Sequence, residues 1–161
     1  FNERADKNEQ LRRIARYLKG WKDYREFCRS TSLPSGMILT ILAANHFFAS
    51  DRDDLSLKET LINMEAALAA RFECNRPTTP AGENLLTNYS NKDYFMEQLR
   101  SFIRDAKKAI EEKNQRKSCE LWQKHLGDRL PCSNAEDKDE TNYSSTGLAT
   151  IIPSGFKPFA Q

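Results

Sequence analysis

Apolar residues recur at a helical period from one segment of this chain to the next, and that repetition restricts the fold more than any other feature of the sequence. Leu11, Ile14, Leu18, Trp21 and Cys28 share one side of a helix predicted from Leu11 to Cys28, with Tyr17, Tyr24 and Phe27 widening the stripe. Met37 to Phe48 is apolar nearly all round, the pattern of a central buried helix, and Asp51 to Asp54 reads as a polar connection after it. Ser56-x-x-Glu59 has capping-box spacing ahead of Leu57, Leu61, Met64, Leu68 and Phe72. Ser90-x-x-Asp93 opens a fourth helix with Phe95, Leu99, Phe102, Ile103, Ala106 and Ile110 on one face. Lys117 to Leu126 is a fifth, closed by Gly127. No strand pattern competes between residues 1 and 132. The predicted fold is therefore all-α, a helical bundle of about five helices.

Two stretches break the pattern. Asn75-Arg76-Pro77 through Gly82 reads as a long loop running to about Tyr89, of the kind that either carries function or straps a surface. From Ser133 the composition turns to Asn, Asp, Glu, Ser, Thr and Gly, which predicts a flexible C-terminal tail. The expected division is a helical domain over 1–132 and a tail over 133–161. The last residues, Phe156 to Gln161, set two aromatics around Pro158, a pattern suited to docking in a partner's groove.

Composition narrows the setting. With 161 residues, 39% hydrophobic and 30% charged, the chain can bury one ordinary core. Its net charge of +2 is nearly balanced, which excludes a strongly basic nucleic-acid binder. Residues 1–30 nevertheless hold nine Lys/Arg against five Asp/Glu, so a polyanion should approach the front of the chain. No apolar run approaches the roughly 20 residues that a membrane span needs, and the expectation is a cytoplasmic protein without a membrane partner. Cys28, Cys74, Cys119 and Cys132 lie far apart, with only His46 and His125 as nitrogen ligands. That spacing argues against zinc, and a reducing compartment argues against a disulfide. Cys28 and Cys119 are expected as small buried hydrophobes. The chain opens on Phe1-Asn2-Glu3-Arg4 without an initiator methionine, as a fragment or processed product would.

One site candidate comes from spacing alone. Arg12, Arg16 and Lys19 follow at i+4 and i+3 and form a positive ridge beside the apolar stripe. After that helix, Pro34-Ser35-Gly36 suits the start of the next. A helix start exposes N–H groups with partial positive charge, so Ser35 can serve as a plain cap or as a phosphate contact.

The run Leu11-Arg12-Arg13-Ile14-Ala15-Arg16-Tyr17-Leu18-Lys19-Gly20-Trp21-Lys22-Asp23-Tyr24, followed by Leu33-Pro34-Ser35-Gly36 and an apolar helix, resembles the C-terminal helical domain of bacterial cGAS/DncV-like nucleotidyltransferases, the CD-NTases. Asn75-Arg76-Pro77 through Glu83-Asn84-Leu85 and Trp122-Gln123-Lys124-His125-Leu126-Gly127-Asp128-Arg129-Leu130-Pro131 are similar to two further blocks of that family. Leu126 and Leu130 stand where the family carries Phe. The resemblance implies an enzyme that makes cyclic di- or trinucleotide second messengers from ATP, GTP or other NTPs in antiphage (CBASS) defence. It also implies an N-terminal catalytic lobe, absent from this chain, whose carboxylates bind Mg²⁺. This chain alone is then expected to be inactive, with no catalytic or metal-binding residue of its own. Lys19 and Ser35 match the positions that hold the donor triphosphate. Lys157-Pro158-Phe159-Ala160 resembles tails that an E1–E2 partner conjugates, with Gln161 standing where Gly or Ala is commoner, and the resemblance implies conjugation or partner docking at Phe159, Ala160 and Gln161 by an E1–E2 conjugating protein or another defence-operon regulator. The alternative is a non-catalytic helical interaction module, acting through its bundle or its tail.

Overall fold

The computed structural model describes residues 8–139. Five α-helices follow in order, α1 (Glu9–Cys28), α2 (Gly36–His46), α3 (Asp53–Ala70), α4 (Lys92–Glu111) and α5 (Gln115–Leu126), with a 3₁₀ turn at Cys132–Asn134. Among the described residues there is no strand, only the isolated bridges Asn75–Asn84 and Asn114–Asp139. The all-α bundle expected from periodicity is the fold.

Asn8 caps α1 by accepting from the Leu11 N–H at 3.1 Å, and the helix buries Leu11, Ile14, Tyr17, Leu18 and Trp21. The predicted stripe stops there. Tyr24 and Arg25 meet α5, whereas Phe27 and Cys28, one turn further along, lie past that contact; Phe27 is 86% exposed. Cys28 is thus an exposed free thiol and not a core residue. Helix α2 buries every residue from Ile38 to Ala43, as an apolar helix at the centre of a bundle must.

Helix α3 begins earlier than its capping-box spacing suggests. Asp53 and Asp54 form its first turn, where helix-dipole attraction favours carboxylates, and both are buried. Each has an arginine: Arg13 Nε donates to Asp53 Oδ2 at 2.6 Å, and Arg52 Nε to Asp54 Oδ1 at 3.0 Å. Ser56 is no cap, because it sits inside the helix and donates to the Phe48 carbonyl at 2.6 Å. The cap of α4 is likewise Asn91 and not Ser90. The long loop is a packed strap: Asn84 Oδ1 accepts from the N–H groups of Cys74 and Leu86, both at 3.0 Å, and Leu86 is buried.

Aromatic contacts tie the layers at the centre. Trp21 lies 5.4 Å from Phe102 between ring centroids, and Phe102 lies 6.1 Å from Trp122. Cys119 and Cys132 form a disulfide, which corrects the expectation of isolated thiols. Gly127 ends α5 and reverses the chain, and the turn at Cys132–Asn134 returns over α5, bringing the two Cα atoms to 5.6 Å. Residues 133–139, assigned to the tail by composition, lie against the start of α5, where Asn114 Nδ2 donates to Asp137 and Asp139. The rest of the tail lies outside the described residues.

Candidate phosphate-binding site

The structure brings together two residues that lie 16 positions apart in the sequence. Lys19 is exposed on α1, and Ser35 is the exposed N-cap of α2. The stem of Lys19 lies over Gly36: a Cβ placed on Gly36 would stand 3.6 Å from Lys19 Cγ and Cε. A Cβ there would sit in ordinary van der Waals contact with the lysine stem, which shows how closely Lys19 lies along the start of α2.

Ser35 Oγ accepts the Ile38 N–H at 3.3 Å. That bond uses a lone pair, so the hydroxyl proton stays available for an acceptor outside the helix. Cap and ligand contact are thus compatible roles for one side chain. The N–H groups of Gly36 and Met37, in the first turn, have no intrahelical acceptor. An ammonium, a hydroxyl donor and a helix start on one exposed patch form an arrangement that attracts a polyanion, with Lys19 acting as a point charge and Ser35 giving direction.

The segment that presents Ser35 is held from three directions that spacing does not reveal. Glu26 Oε1 accepts from the Leu33 N–H at 3.0 Å, while its other oxygen pairs with Lys22 Nζ at 2.6 Å. Tyr89 OH donates to the Ser32 carbonyl at 2.8 Å, and Asn91 Nδ2 reaches the same oxygen at 3.4 Å. Burial, with the nearby Glu26 carboxylate adding, pushes the Tyr89 phenol up to about 12, which keeps it a donor at neutral pH. Leu33 and Pro34 are buried. The end of the long loop and the start of α4 thus position the α1–α2 connection. No sequence signal marks Tyr89 or Asn91 for this role, because each acts across more than 50 residues.

Of the other ridge residues, Arg16 and Arg12 are exposed on the same helix, whereas Arg13 is turned to Asp53. No group of three or more His, Cys, Asp or Glu among the described residues could hold a metal ion. His125 is committed elsewhere, to Asp105 at 2.8 Å. Phe159, Ala160 and Gln161 lie outside the described residues. No helix among those described is long and apolar enough to cross a membrane. No protein-family model matches the chain.

Proposed function

We propose that this chain is the C-terminal part of a cyclic-oligonucleotide synthase of the CD-NTase type, and that it holds the triphosphate of the donor nucleotide. The observation that carries the proposal is the placement of the Lys19 side chain across Gly36, beside the capping hydroxyl of Ser35. A triphosphate presents several acceptor oxygens in a row, which suits one mobile ammonium plus directed donors better than a single carboxylate would. In this reading the chain binds and orients. Attack on the α-phosphate belongs to residues of an N-terminal lobe.

The test uses the protein with its upstream region. Lys19→Ala should lower nucleotide affinity and product formation by roughly tenfold to a hundredfold, the worth of a hydrogen bond to a charged group. Its fold should be unaffected, since Lys19 is exposed. Ser35→Asp separates cap from ligand contact, because aspartate caps a helix as well as serine does yet repels phosphate. Unchanged thermal stability with lost nucleotide binding is the expected result for Ser35→Asp. Full activity in both variants would reject the phosphate assignment.

A further inference from the structure

The Cys119–Cys132 disulfide has no part in the nucleotide reading, and the residues around it suggest a purpose beyond stapling. Cys119 is completely buried on the inner side of α5, whereas Cys132 is 9% exposed at the margin of the core. After Cys132 the chain runs as a strap across the first turn of α5. Apart from buried Ala135, every residue from Ser133 to Asp139 is exposed. The strap is otherwise held by polar contacts: Asn114 Nδ2 to Asp137 at 2.9 Å and Asp139 at 3.2 Å, the Gln115 N–H to the Lys138 carbonyl at 3.4 Å, the Glu136 N–H to Gln115 Oε1 at 2.9 Å, and the Arg116 guanidinium to the Ala135 carbonyl at 3.4 Å. Asn114 is itself buried, whereas the acceptors on the strap are exposed apart from the Ala135 carbonyl, so these bonds seat the strap without enclosing it. The covalent tie is the one restraint that a change of redox conditions can remove.

The chain before the strap is anchored independently. Leu130 is fully buried, and its carbonyl accepts from Gln123 Nε2 at 2.9 Å. Loss of the disulfide therefore frees the chain from Cys132 onward and leaves the Gly127–Leu130 turn and the helical core in place.

We propose that Cys119–Cys132 is a reversible redox latch that holds residues 132–139 over the start of α5, and that a dithiol reductant opens it. A thiolate of the reductant attacks Sγ of Cys132, the less buried of the two residues; the S–S bond breaks, and Cys119 leaves and takes up a proton. The second thiol of the reductant then attacks the mixed disulfide, releasing Cys132 as a thiol and leaving the reductant as its own disulfide. Two electrons pass from reductant to protein, and the two protons lost by the dithiol are matched by those gained at Cys119 and Cys132. Opening uncovers the Gln115 N–H and Asn114 at the start of α5.

The 161-residue chain can be equilibrated with oxidised or reduced dithiothreitol, alkylated, and followed by peptide mass and by hydrogen–deuterium exchange. Cys119 and Cys132 should be alkylated together and only in the reduced sample, with exposed Cys28 alkylated in both. Exchange over 132–139 should rise on the order of a hundredfold on reduction, as release of a short closed loop allows, and return on reoxidation. Peptides of α4 should not change. Cys119→Ser risks misfolding at a buried position, so Cys132→Ser is the working variant: it should exchange like the reduced chain and ignore the reductant. Free thiols at both positions without reductant, slow exchange over 132–139 in the reduced chain or in Cys132→Ser, or failure to recover on reoxidation would each overturn the latch. Loss of protection throughout α1–α4 on reduction would also overturn it, by showing a staple for the whole fold.

Discussion

His125 shows how far a single residue's environment can depart from what its neighbours in sequence suggest. Its ring stacks on Phe102 with centroids 4.6 Å apart, its Nε2 lies 2.8 Å from Asp105 Oδ2, and Arg25 lies 3.2 Å from Nδ1. Arginine can only donate, so Nδ1 accepts and Nε2–H donates to Asp105, which is the neutral tautomer. Burial lowers the His125 pKa to about 4, opposed by Asp105 and reinforced by Arg25. The unfolded chain takes up this proton near pH 6.5 and the folded chain only near 4. Stability from this site is therefore complete above pH 6.5 and falls as pH drops towards 4, by a total on the order of 3 kcal/mol. Urea midpoints at pH 7 and pH 4.5 should show the loss, and His125→Gln should flatten it. Gly127 carries a second residue-scale expectation. Its φ is +76°, and an added Cβ would lie 2.7 Å from Tyr24 Cδ2. Gly127→Ala should cost about 2 kcal/mol or more in urea unfolding. Adding Tyr24→Ala should recover the clash but not the backbone strain. A helix-ending glycine was legible in the sequence; the tyrosine above it was not, because Tyr24 lies a hundred residues away on another helix.

At the scale of elements, the start of α3 is where pattern and structure part. Asp51-Arg52-Asp53-Asp54 reads as a solvated turn because four charges in a row rarely enter a core. The third of them is the clamp between α1 and α3. Asp53 accepts from Gln10 at 3.0 Å, from Arg13 at 2.6 Å and from Tyr17 at 3.2 Å, all on successive turns of α1. Burial alone would raise its carboxyl pKa, but hydrogen bonds from Arg13, Gln10 and Tyr17 carry it below the usual value. Asp53→Ala removes the shared acceptor and should cost about 2–3 kcal/mol, measured by thermal or urea unfolding. With its folded pKa lowered, this contribution is complete above the usual carboxylate pKa of about 4 and is lost as pH falls below it, a window beneath that of His125. Ser56 follows the same logic. Its spacing to Glu59 imitates a capping box, yet the N-cap of α3 is Arg52, four residues earlier, because each buried aspartate finds an arginine there.

For the whole molecule, two phenylalanines separate what each level of description decides. Phe102 is fully buried between Trp21 and Trp122, and Phe102→Ala should cost about 3–5 kcal/mol. Phe27 stands on an equally regular helical period but is 86% exposed, and Phe27→Ala should change stability by less than about 0.5 kcal/mol when both variants are compared with the parent chain by calorimetry. Helix number, helix order and the inner faces of α2 and α4 were legible because burying an apolar stripe against neighbours is a local demand written at a 3.6-residue period. Lys19 and Ser35 were legible as residue types at a helix face and a helix start. Periodicity is blind to where a partner helix ends, so Phe27 and Cys28 carried the pattern of core residues past the point where α5 stops covering them. The Cys119–Cys132 pairing, the Asp53 clamp, and the hold of Glu26, Tyr89 and Asn91 on the segment before Ser35 depend on distances between elements. The sequence by itself thus determined which segments become helices and which faces turn inward. The tertiary structure alone decided which charges could be buried, which thiols could meet and how Lys19 comes to lie beside Ser35, because each of those needs an oppositely placed group that only packing supplies.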